Sequence, residues 1–536
     1  MSERRWLREW LTIAAIVVPT ALFARWSWFQ DGQGPAFLPS PDAVEYAAAA
    51  QSIATDGTFL LQVAQHRVRP RYPPGWPLLQ AVALRAGTDG ADLWRVTAPF
   101  GAALACAIAG VTRAAVGAHG NRRVALAAAI GAGLAWALSP LAATCGGTAM
   151  SDEPTALACF VALAGIGAAL ARGQASADGG ARTTRALAAM GGIAAGAALT
   201  MRAVEGLLLA PPLAWLAHHA ARRHGVRPVA RVVALAAFGA LPPIVATMAV
   251  LAHSGVSPWR WSAYEFWAPE RFGDLSVTFS WTYAWVANPH IPAYIDVSPV
   301  SQLRAYGLTF LGLAGPYNWM RFGTLWPLAG WGALVVLAVP ALARRGLGAG
   351  ARSSDLAIGA LAVAIWCVSH WLVFGAYFYP DPRFVLGALA WCPVALAVAL
   401  ALAANDGAHS RARAGAAIVA ALVVALVVGD GWAHHPKRRI YEPRNEETRA
   451  ELHRFLAWDD ATRVREQVPF DTVLAQALGW LPASRAALVP SWGRPPATKQ
   501  ANLLIRNGYL RPDGARTPNG PSLGQAPSPL STPGDR

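Results

Sequence analysis

Charge is scarce in this chain. Of 536 residues only 14% are Asp, Glu, Lys or Arg, while 54% are hydrophobic. Soluble domains carry roughly 25% charged residues, so most of this molecule does not present an ordinary water-facing surface. Lysine is nearly missing: it occurs only at Lys437 and Lys499, and the net charge of +15 rests on arginine. Cysteine is sparse too. Cys106, Cys145, Cys159, Cys367 and Cys392 lie in or beside apolar stretches and form no CxxC pair, so they read as small core residues rather than a disulfide framework or a zinc site. No Walker A sequence and no GxGxxG after a strand occurs, which leaves nothing to suggest nucleotide use. HExxH and Cys/His zinc spacings are absent. The pairs His218–His219 and His434–His435 flank apolar segments and read as solvated. Alternating segments of about ten residues, the mark of a membrane β-barrel, are also missing.

What the chain has in abundance is long apolar runs of the length that crosses about 30 Å of hydrocarbon. They predict an all-α polytopic membrane protein with spans near 10–29, 93–117, 124–143, 154–171, 186–201, 203–218, 232–252, 324–343, 355–374, 384–403 and 414–430. That is about eleven crossings. Arg4, Arg5 and Arg8 precede the first run. No small-x-small cleavage site follows, so this run reads as an uncleaved span with its N-terminus in the cytoplasm. On that threading every connection at 119–123, 172–185, 218–231, 344–355 and 405–413 carries at least two arginines, and 144–153 and 375–382 carry none. This is the positive-inside pattern of a plasma membrane protein, and it explains the basic balance without a nucleic-acid partner. Residues 186–218 remain open between a hairpin and one long bent helix.

The organisation that follows is a transmembrane unit over 1–430 with two large external loops, 30–92 and 253–323. A small external C-terminal region covers 431–510, and 511–536 is Pro/Gly/Ser-rich and expected to be disordered. The 253–323 loop is rich in aromatics, including Trp259, Trp261, Trp267, Trp281, Trp285 and Trp319. These suit the membrane interface or a groove for a lipid tail or sugar rings.

Four polar clusters fall on the external side: PDAVEY at 41–46, SDEP at 151–154, RAVE at 202–205 and DPR at 381–383. Charge near a bilayer is costly without a partner or a task. Asp42 and Glu45 stand three apart at a helix start, as a cap or as carboxylates on one face, where Asp42 is placed to act as a general base. Asp152 and Glu153 begin another helix, as first-turn acids or as ligands of a divalent metal or an acceptor. Arg67, Arg69, Arg71 and Arg383 break the charge rule and suit phosphate recognition or interfacial anchoring. The strap RYPPGWPLL is stiffened by Pro73, Pro74 and Pro77, and holds Arg71 and Tyr72 near the membrane or serves as a re-entry turn. Arg202 and Glu205 argue against a plain lipid-facing helix.

The segments PDAVEYAAAAQSIATDGTF, RYPPGWPLL, SPLAATCGGTAMSDEPTALA, GAALTMRAVEGLLL and DPRFVLGALAWCPVAL, in that order and on that side, resemble the GT-C membrane glycosyltransferases. The nearest branch is that of the protein O-mannosyltransferases and lipid A aminoarabinose transferases. The resemblance implies inverting transfer of a sugar from a polyprenyl-phosphate donor to a hydroxyl of a lipid, a cell-wall glycan or a protein, on the extracytoplasmic face of a bacterial inner membrane. It implies Asp42 as the catalytic base. It implies Asp152, Glu153 and Arg383 around the substrates, with Arg383 on the donor phosphate; Glu45, Arg71, Tyr72 and Arg202 are further candidates for substrate contact. Relatives differ in metal use, so a divalent metal stays open. Ala43 follows Asp42 where the family often has a second acid, which leaves the role of Glu45 open. A secondary transporter and a non-catalytic lipid-binding or assembly protein are the competing classes. A transporter predicts ionisable groups at the bilayer midplane and an internal repeat; the sequence places its charges at the external margin.

Overall fold

The computed structural model describes residues 3–27, 42–63, 66–70, 72–118, 122–173, 178–258, 325–343, 351–375 and 382–405, with two-residue strands at 468–469 and 490–491. The expected span 414–430, most of the 253–323 loop and the 511–536 tail lie outside the described residues. All the other expected spans coincide with helices. Among the described residues six helices are long and apolar enough to cross a membrane. This is a multi-pass helical membrane protein.

The first helix, α1 (Glu3–Ser27), is followed by α2 (Asp42–Asp56), a hairpin of β1 (Leu61–Val63) and β2 (His66–Val68), and α3 (Gly75–Arg85). A 3₁₀ turn (Gly90–Val96) leads into α4 (Ala98–Gly117), and α5 (Arg122–Ala137), the short α6 (Pro140–Gly146) and α7 (Asp152–Arg172) follow. Next come α8 (Asp178–Met201), α9 (Ala203–Leu207), α10 (Ala210–His224) and α11 (Val226–His253). The late elements are α12 (Leu325–Ala343), α13 (Ala351–Gly375), a 3₁₀ turn (Pro382–Val385), α14 (Leu386–Leu389) and α15 (Cys392–Asn405).

The open question at 186–218 resolves as a hairpin. Arg202 is extended (φ −150°, ψ 91°) and breaks the helix between α8 and α9. The chain reverses so sharply that a Cβ on Gly206 would lie 2.7 Å from the Cα of Leu199. At the far end His224 lies beside the end of α7, with Nε2 3.2 Å from the carbonyl of Ala171. Small residues let α8 and α11 approach. A Cβ on Gly192 would sit 2.8 Å from Ala236 Cα, and one on Gly196 2.9 Å from Ala240 Cα. This is the close backbone packing that drives helix association where the surrounding solvent is itself apolar.

The first loop is a folded cap on one end of the helices. Tyr46, Phe59, Trp76, Leu93, Met150 and Met201 share one apolar cluster. Trp76 Nε1 and Gln80 Nε2 donate to the carbonyl of Ala149 at 2.9 and 3.1 Å, and Thr97 Oγ1 to that of Thr148 at 2.6 Å. The strap thus holds the 148–152 turn by its backbone. Gly75 is required there, since a Cβ would lie 2.6 Å from the Thr200 carbonyl oxygen. Opposite this cap, Glu9 pairs with Arg113 at 2.7 Å and with Arg122.

Candidate active site

The described residues of the four polar clusters meet at the capped end, Tyr46 beside Ser151, Arg202 beside Asp152 and Arg383 beside Met150. α7 begins at Asp152, and Ser151 before it makes no side-chain capping bond. Its hydroxyl is instead 3.0 Å from that of Tyr46. The two acids of the first turn take different partners. Asp152 Oδ1 accepts from Arg202 Nη1 at 2.9 Å. Glu153 forms a forked pair with Arg25, whose Nε donates to Oε2 at 2.9 Å and whose Nη2 donates to Oε1.

Arg202 occupies the break between α8 and α9, and its Nη1 also donates to Glu205 Oε1 at 2.7 Å. One nitrogen therefore serves two carboxylates, and among the described residues Nε and Nη2 have no hydrogen-bond acceptor. The Phe384 ring carries both site arginines, with Arg202 Cζ 4.8 Å and Arg383 Cζ 5.3 Å from its centroid. Arg383 Nη1 donates to Met150 Sδ at 3.8 Å. If all are ionised, Asp152 and Glu205 balance Arg202 and Arg383. Asp152 Oδ2 is buried without a hydrogen-bond partner among the described residues, a cost of about 1–3 kcal/mol for a polar atom.

Among the sequence-predicted residues, Glu45 is buried on α2. Tyr72, on the strap, stacks on Tyr46 with centroids 4.8 Å apart. Asp42 is the first residue of α2, four before Tyr46; its side chain lies outside the described residues, as does Arg71. Tyr46 and Ser151 were named from the sequence only as members of their clusters, and Arg25, Met150 and Phe384 were not singled out. A signal existed for Arg25: a charged residue inside the predicted 10–29 span needs a buried partner. Asp152 and Glu153, open from the sequence as first-turn acids or as ligands of a divalent metal or an acceptor, are each paired with an arginine. Among the described residues no cluster of three or more His, Cys, Asp or Glu is placed to hold a metal ion.

The chain aligns over its whole length with the archaeal oligosaccharyltransferase AglB of Archaeoglobus fulgidus, at TM-score 0.51 and 13% identity, covering 62% of that chain. The chain has the GT-C fold. The oligosaccharyltransferase is longer, and this chain spans less than two thirds of it. A structure of ArnT from Cupriavidus metallidurans bound to undecaprenyl phosphate aligns at TM-score 0.47 and 16% identity, covering 94% of this chain and 89% of that one. Another structure of the A. fulgidus enzyme, with zinc and sulfate, gives 0.47 and 16%, covering 79% and 53%. No protein-family model and no curated protein sequence matches the chain.

Proposed function

We propose that this protein is a membrane glycosyltransferase. It moves a sugar from a polyprenyl-phosphate-linked donor to a hydroxyl of a lipid, glycan or protein on the extracytoplasmic face of a bacterial inner membrane. The observation that carries this reading is the meeting of Asp152, Arg202, Glu205 and Arg383 around Phe384 at the capped end of the GT-C fold. The AglB structure of the same fold contains a dolichol-phosphate, the class of ligand that this cationic pair suits.

In this reading Arg383 and the open edge of Arg202 receive the donor phosphate. Their charge stabilises the anion that builds on it as the glycosidic bond breaks. Asp42 takes the proton of the acceptor hydroxyl, which attacks the anomeric carbon from the opposite face and inverts it. The unpartnered Asp152 Oδ2 accepts a hydrogen bond from a substrate hydroxyl. Tyr46 and Tyr72 present an aromatic wall to the sugar. The polyprenyl tail remains among the helices, and no nucleotide site is needed.

The test is transfer from a radiolabelled polyprenyl-phosphate sugar by the purified, reconstituted protein. Asp42→Asn should lower transfer by about 10²–10⁴-fold, the usual worth of a general base, with membrane insertion intact. Full activity of that variant removes Asp42 from the mechanism. No binding and no transfer by the wild-type protein with any such donor removes the enzyme reading.

A further inference from the structure

Arg25 and Glu153 are both 0% exposed and form a two-pronged ion pair between the end of α1 and the first turn of α7. The guanidinium is held from other directions too, with Nη1 3.1 Å from the carbonyl of Ala21 and 3.4 Å from that of Ala137. The space around it is kept by two glycines. A Cβ on Gly101 would lie 2.5 Å from Glu153 Cδ, and one on Gly146 2.8 Å from Arg25 Cδ. So α1, α5, α6 and α7, together with α4, close around one buried pair.

A pair of this kind is a poor source of stability. Desolvating two ions costs several kcal/mol each, and apolar residues of similar volume are often at least as stable in their place. What the pair does supply is direction. Glu153 and Asp152 are consecutive on a helix, so their side chains leave its axis about 100° apart. With Glu153 drawn to Arg25, Asp152 is left facing Arg202, where Oδ1 is engaged and Oδ2 is buried with no hydrogen-bond partner among the described residues.

We propose that Arg25 is a positioning residue of the transfer site: by fixing Glu153 it sets the rotation of the first turn of α7, and through it the place of Asp152. This rests on the glycosyltransferase reading, and it assigns Glu153 to the support of the site instead of to substrate. The turn before α7 is fastened from above by Trp76, Gln80 and Thr97. The Arg25–Glu153 pair fastens the same segment from below.

The test is the double substitution Arg25→Met with Glu153→Leu in the full-length protein. It removes both charges together and avoids leaving one buried ion uncompensated. The expected result is a folded protein with a Tm at or above wild type, a kcat reduced about 100-fold, as a displacement near 1 Å commonly costs, and a donor KM little changed. A double variant that keeps wild-type kcat overturns the proposal, and so does a fall confined to KM. If the wild-type protein transfers no polyprenyl-phosphate sugar, the enzyme reading fails separately. A structure of the double variant then decides: loss of the 2.9 Å Asp152–Arg202 contact supports positioning, and its retention overturns it.

Discussion

Arg202 shows how much depends on a single side chain at the site. Its side chain is 16% exposed, and through one nitrogen it bridges two almost fully buried carboxylates. A lysine there keeps the charge that Asp152 and Glu205 need but has neither the planar fork nor the flat face that lies over Phe384. Arg202→Lys is therefore expected to cost less stability than removing the charge, which for a buried pair is about 3–5 kcal/mol, and to reduce transfer at least tenfold. Thermal unfolding in detergent beside a transfer assay checks this; equal losses in both would assign Arg202 to structure alone. Residue types and sidedness made Asp152, Arg202 and Arg383 legible as site candidates. Their partners were not legible, because hydrogen bonds such as Arg25 to Glu153 join positions 128 apart in sequence.

At the scale of elements, apolar length placed the helices well, since burial in hydrocarbon leaves the backbone few alternatives to a helix. It was less informative where a helix breaks. Residues 186–218 have no proline or glycine at the break itself, which falls at Arg202 because its side chain leaves the helix for Asp152 and Glu205. The pairing of α8 with α11 depends on Gly192, Gly196 and Gly239, whose missing side chains admit the opposing backbone. Gly196→Leu should push the two helices apart at a cost of about 1–3 kcal/mol, read as a lower Tm and lower folded yield. A Tm equal to wild type would show that α11 gives way without cost. Gly332 has open space at its Cβ position, so Gly332→Leu is the matching control.

For the whole molecule, the two ends differ in what holds them. The capped end carries the fold of the first loop and the site, and the other end carries Glu9 with Arg113 and Arg122 and the Arg223–Asp355 pair. If the capped end faces out, a cysteine at exposed Asp89 should react with an impermeant maleimide in intact cells. A cysteine at exposed Arg222 should react only after permeabilisation. Labelling of both positions from one side would overturn the topology and with it the proposed location of the site. Composition and periodicity alone determined that this is a polytopic helical protein, because a chain so poor in charge and so rich in apolar runs has no other way to satisfy its backbone in lipid. They also placed four polar clusters at one margin, because arginine counts in the loops order the ends of the helices. Which acid meets which arginine, that Glu153 belongs to Arg25 and Asp152 to Arg202, and that Phe384 carries two guanidinium groups were decided only by tertiary structure. Such contacts depend on helix rotation and close approach in three dimensions, and a rotation of one residue position, about 100°, exchanges one partner for another without altering any pattern along the chain.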